Sequence, residues 1–149
     1  MKLQIATRHA LFAILELAAR PERQISAAEI AEKYAISPNH LAKVLRVLGR
    51  EGMVDASRGV GGGYRFAGNA RRLTLLDILA IFEPIGANGA GNREVGNGTV
   101  EGVALGKVLD EIEDSTRATL SSITVNTMLK IVGRTPNPAG PSQTPDSQA

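Results

Sequence analysis

With 149 residues, 43% of them hydrophobic, the chain can bury the core of one domain and carry an appended oligomerisation element. Aromatics are only 3% and cysteine is absent, so the core must come from Leu, Ile, Val and Ala, and disulfides and thiolate-held metals are excluded. The net charge of +2 hides a polarity: residues 1–72 carry 12 Lys+Arg against 6 Asp+Glu, and residues 73–149 carry 5 against 9, which suits a front that meets a polyanion.

Chain order then supplies the elements. Thr7 is read as the cap of an amphipathic helix, RHALFAILELAA, which Pro21 and its polar neighbours end. Ser26 with Glu29 three residues on makes a capping box for a short helix with Ala28, Ile30, Ala31 and Tyr34 as its apolar residues. Ala35 occupies a turn. Ser37 caps the next helix and Pro38 takes its first position, where a missing N–H costs nothing. Leu41, Val44, Leu45 and Leu48 form its buried stripe, and Gly52 stops it as a left-handed cap. The outer face is left with Pro38, Asn39, His40, Lys43, Arg46 and Arg50, donors that read base edges and neutralise phosphates.

Val54, Ala56, Tyr64 and Phe66 read as the apolar positions of two short strands. Between them runs RGVGGG, with Gly59, Gly61, Gly62 and Gly63 giving a hairpin free to take positive φ and without bulk. With Arg58 and Arg65 as cations, such a tip suits a DNA backbone or minor groove. A phosphate-cradling nucleotide loop is the other reading. Neither the P-loop nor the dinucleotide spacing is met, because no GK[ST] and no helix follow the glycines. Helix, turn, helix and wing in this order predict a winged helix-turn-helix over residues 1–83.

After the wing, Thr74 with Asp77 caps LLDILAIFE, and Pro84 ends it. Residues 84–102 form a Gly-rich loop. Residues 103–132 hold a helix from about Val103 to Leu120 and a last short helix capped by Thr124. Leu105, Val108, Leu109 and Ile112 share one face of the longer helix, which buries that stripe most simply against the same helix of a second subunit. Residues 133–149, with four of the seven prolines, read as a disordered tail. The fold class is mainly α with a small β-hairpin wing, plus a long dimerisation helix. No apolar run reaches membrane-span length, and MKLQIATRH lacks a signal-peptide stretch, so a cytoplasmic protein without a membrane partner is expected.

The residues MKLQIATRHAL, SPNHLAKVLRVLGREGMV, RGVGGGYRF and TLLDILAIFEP, with the long and short C-terminal helices, resemble the Rrf-type winged-helix regulators, the family of IscR, NsrR and CymR, over about residues 1–132. The resemblance implies a homodimer on a palindromic operator in double-stranded DNA. It places the recognition-helix residues Ser37, Pro38, Asn39, His40, Lys43, Arg46 and Arg50 and the wing residues Arg58 to Tyr64 at the DNA. It also implies an iron–sulfur cluster held by three cysteines in the loop before the dimerisation helix, and there the chain departs. The family's spacing falls at or near Gly91, Gly96 and Gly102, and Arg8 stands where some members place an acidic ligand. His9 and His40 read as isolated imidazoles, and Glu94 and Glu101 have no histidine partners nearby. No cofactor and no metal are therefore expected.

The expected function is a homodimeric DNA-binding repressor without a cluster. Its control would fall to a small ligand or to a protein partner, the latter being how CymR-like members of the family work. The alternative is a winged-helix protein-interaction module. An enzyme is not expected, since no nucleophile–base pair, metal cluster or paired carboxylates stand out.

Overall fold

The computed structural model describes residues 1–85 and 95–139, so Gly91 and Glu94 and most of the expected tail lie outside the described residues. In chain order it contains α1 (Ile5–Ala19), α2 (Ala27–Tyr34), α3 (Pro38–Arg50), β1 (Val54–Ser57), β2 (Gly63–Phe66), α4 (Leu75–Phe82), α5 (Val100–Ser122) and α6 (Val125–Arg134). β1 and β2 pair antiparallel, with Val54 opposite Phe66 and Ser57 opposite Gly63.

α1 is the central helix, packed against α2, α3, β2, α4 and α6. Its Ala10, Ala13, Ile14 and Leu17 are fully buried. They meet Ile30 of α2, the stripe Leu41, Val44, Leu45 and Leu48 of α3, Ile78 of α4 and Val125 of α6 in one aliphatic core. The scarcity of aromatics is met by close packing of small and branched side chains, as interiors require.

α1 begins two residues before Thr7, and Thr7 is not its cap. Gln4 is the N-cap residue, and its side chain makes no capping bond. The acceptor comes from far along the chain. Glu83, just past α4, takes the Gln4 backbone N–H at 2.7 Å and the hydroxyl of fully buried Thr7 at 2.6 Å on one oxygen. A carboxylate at a helix N-terminus satisfies an orphan donor and suits the helix dipole.

Two backbone ties fix the outer elements. Ile25, ahead of α2, exchanges hydrogen bonds with Tyr64 (2.9 and 2.8 Å), so the wing is anchored to the body by a short third pairing. Leu75 donates to Ile123, Val125 to Leu73 and Asn126 to Ala70, each at 2.8 Å, which docks the start of α6 beside the start of α4. Thr74 with Asp77 closes a reciprocal capping box on α4, and Thr124 caps α6 through Thr127 N–H.

α5 starts at Val100, three residues earlier than the sequence suggested, because Thr99 accepts from Gly102 N–H and caps it. Its 23 residues span about 35 Å at 1.5 Å per residue. It packs on α4 and buries Leu120, while α6 extends to Arg134, slightly into the expected tail.

Candidate DNA-reading face

The helix-turn-helix is built by local rules. Ser26 and Glu29 close the capping box of α2. Ala35 then adopts a left-handed conformation (φ 53, ψ 43), strained for a residue with a Cβ but the sharp turn needed before α3. Ile36 donates its N–H to Ala31 O at 2.9 Å and buries its side chain, which fixes the angle of α3. Ser37 sits at the N-cap position, yet its side chain makes no capping bond, and Pro38 follows at the first helical position. At the far end Gly52 (φ 73) donates to Gly49 O and Met53 to Leu48 O, a complete Schellman stop.

This geometry turns Leu41, Val44, Leu45 and Leu48 inward and leaves Ser37, Pro38, Asn39, His40, Lys43, Arg46 and Arg50 all exposed on the outside. Burial lowers the pKa of His9 on α1, helped by the charges of His40 and Arg8.

A groove of about 600 Å³ separates α3 from the wing. Arg46, Arg50 and Arg58 line it as cations with Asp55 as the one acid in its lining, and Tyr64 and Gly63 form part of its wall. Ala56 also lines it and is exposed, so of the four expected strand positions only Val54 and Phe66 are buried and Tyr64 is half-buried. Arg65 points to the opposite side of the hairpin and donates to Glu22 O at 3.1 Å. The wing glycines have distinct reasons. Gly59 and Gly61 have positive φ (98 and 77), whereas a Cβ on Gly63 would come within 2.7 Å of Ile25 O. Such a face presents donors and cations around a concave strip and suits a polyanionic groove.

The Rrf2 family, described as "Iron-dependent Transcriptional regulator", matches residues 3–131. The chain belongs to the Rrf2 family of transcriptional regulators. This Rrf2 protein is 49% identical over 132 residues to the HTH-type transcriptional regulator BadM of Rhodopseudomonas palustris, covering 89% of this chain and 83% of BadM. It superposes on the IscR of T. potens with a TM-score of 0.71 at 26% identity, covering 92% and 93% of the two chains. CymR, the global cysteine regulator of B. subtilis, gives 0.73 at 25%, covering 88% and 98%. The Rrf2 protein is thus a DNA-binding, non-enzymatic regulator with a winged helix-turn-helix.

The residues present do not fit the iron–sulfur cluster of the family. Clusters are held mainly by cysteine thiolates, and the chain has none. Among the described residues no group of three or more His, Cys, Asp or Glu is placed to hold a metal ion. At Gly102 a Cβ would overlap the Gly96 carbonyl, and Gly96 itself has φ 90, so this turn is built for glycine. Among the described residues no helix is long and apolar enough to cross a membrane.

Sequence reasoning missed Glu83 as the cap of α1, Thr99 as the cap of α5 and Glu16 as the link between α1 and α2. Only Thr99 carried a local signal, and Gly102 at its third helical position disguised it.

Proposed function

We propose that this Rrf2 protein is a cytoplasmic homodimeric repressor that binds an inverted-repeat operator and works without an iron–sulfur cluster. The observation that carries the reading is the stripe on α5. Leu105, Val108, Leu109 and Ile112 are 59%, 53%, 46% and 57% exposed on a helix that packs on α4. Four large aliphatic residues in a row on one helix face form a seam that a twofold partner would bury. A dimer so formed carries two α3 helices, and a bound dimer across a promoter obstructs the polymerase.

In this reading Asn39 and His40, at the N-terminal end of α3, meet base edges, as recognition-helix N-termini do. Ser37 and Pro38 lie against the backbone beside them. Lys43, Arg46 and Arg50 neutralise phosphates, and Arg58 with Gly59, Gly61, Gly62, Gly63 and Tyr64 brings the wing to the flanking groove, while Arg65, tied to Glu22 O on the opposite side, holds the hairpin to the body. With thiolates absent, control falls to a ligand or protein partner acting near residues 85–102.

Selection from a pool of random duplexes tests this. The protein should enrich an inverted repeat with half-site centres about 34–36 Å apart, or a multiple of that. Asn39→Ala and His40→Ala should relax base preference within the half-sites, while Arg58→Gln should weaken all duplexes alike and reduce the salt slope by about one. Enrichment of no duplex, or of a single asymmetric half-site, contradicts the reading.

A further inference from the structure

The wing tip is a defined turn with one bulky side chain. Gly62 donates its N–H to Gly59 O at 3.0 Å, closing a four-residue turn with Val60 and Gly61 at its centre. Gly61 has φ 77, as the third residue of a type II turn requires, and Val60 does not have positive φ. The turn is held from below. Ser57 and Gly63 are paired, a Cβ on Gly62 would lie 2.5 Å from Ser57 O, and Gly63 is pressed against Ile25.

Val60 stands out from this frame, 112% exposed. Among the described residues, the other exposed large apolar side chains lie on α1, α5, α6 or their flanking segments, away from the helix-turn-helix and wing. Val60 alone of them lies in the wing, two residues along from Arg58, which lines the groove between α3 and the wing. A β-branched side chain is stiff at χ1, so Val60 at the tip of this hydrogen-bonded turn loses little rotamer freedom on contact. It also has apolar surface that water solvates poorly.

We propose that Val60 is a specificity-determining residue that enters the minor groove next to the half-site and selects A·T over G·C pairs there. The inference rests on the reading of the wing as a DNA contact. The chemistry is steric and electrostatic together. An A·T pair shows only acceptors on the minor-groove floor, and A-tracts narrow that groove around an inserted group. A G·C pair adds the guanine N2 amine, which an isopropyl group covers without accepting its hydrogen bond, leaving a desolvated donor. Arg58, two residues away, attracts the backbone on either sequence, so charge and selection are divided between two side chains.

The test uses the full-length protein and two duplexes that share the selected inverted repeat and differ only in A·T or G·C pairs at the flank. Wild type should prefer the A·T flank by on the order of 5- to 20-fold. Val60→Ser should reduce that preference to under about twofold while leaving the salt slope unchanged, because no charge is lost. Val60→Ile should keep the preference. Arg58→Gln should weaken both duplexes and retain the ratio. A Val60→Ser protein with the wild-type ratio, or one that loses affinity for both flanks equally, overturns the assignment. Wild-type protein that binds neither duplex with salt-sensitive affinity contradicts the DNA-reading face itself. Retained binding to both with no flank preference contradicts only Val60.

Discussion

Glu83 ties two distant parts of the chain with one oxygen, and its loss should show what that contact is worth. Glu83→Ala strands the buried Thr7 hydroxyl and uncaps Gln4 N–H. An unsatisfied buried donor costs about 1–3 kcal/mol, which lowers the thermal midpoint of a domain this size by several degrees. Adding Thr7→Val to Glu83→Ala should recover part of the loss, since the orphaned hydroxyl is gone. Equal melting of wild type and Glu83→Ala would show that solvent replaces the carboxylate freely. No sequence pattern pointed to this contact, because its partners stand 76 and 79 residues apart. The caps that were legible, Ser26 with Glu29, Thr74 with Asp77 and Thr124 with Thr127, all close within three residues, where spacing alone carries the signal.

At the scale of elements, α1 and α2 are joined by a small polar cluster beside an aromatic stack. Glu16 accepts from Lys33 Nζ and Tyr34 Oη, both at 2.7 Å, and the Phe12 and Tyr34 rings stack with centroids 4.8 Å apart. Burial pushes the Glu16 carboxyl up, but the hydrogen bonds and charge of Lys33 outweigh it and hold the group below its ordinary 4.5. The Tyr34 phenol is pushed up by burial and by Glu16. A lowered carboxyl contributes stability that is complete above the unfolded value and disappears as pH falls through the folded one. Glu16→Gln should therefore cost about 1 kcal/mol at neutral pH. The gap to wild type should close as pH drops below 4.5. A gap that persists into acid would mean packing, not charge, makes the link. α5 gives the second test at this scale. Leu109→Asp places an unpaired charge in the proposed seam, which is costly when desolvated. Sedimentation should find that variant monomeric with operator affinity sharply reduced, whereas wild type should be dimeric at micromolar concentration. A wild-type monomer contradicts the assembly. The α5 stripe was legible from its spacing, but its exposure in the single chain was not, because that depends on how much of the helix α4 covers.

For the whole molecule, the helix-turn-helix and wing were the most legible part, since Ala35, Pro38, Gly52 and the wing glycines each mark a backbone event at a fixed place. The bulk at the wing tip was overlooked because four glycines in five residues suggested a bare loop, and only the turn geometry sets Val60 outward. The same glycine content explains the other departure. In a family described as iron-dependent, this chain offers no thiolate, and the Gly96–Gly102 turn closes on itself as a helix cap. Nitric oxide and peroxide should accordingly leave operator affinity unchanged within about twofold, compared by titration before and after exposure. A tenfold loss after exposure would require a redox-sensitive ligand set, which no group of three or more His, Cys, Asp or Glu among the described residues forms.

Whether a cluster-free dimer reads DNA is decided by sedimentation of chelator-treated, iron-free protein with a duplex carrying the selected inverted repeat, across a salt series. One dimer per repeat is expected, with full affinity without iron and binding that weakens steeply as salt rises. Binding that appears only after iron and sulfide are restored, or a duplex affinity indifferent to salt, would contradict that expectation.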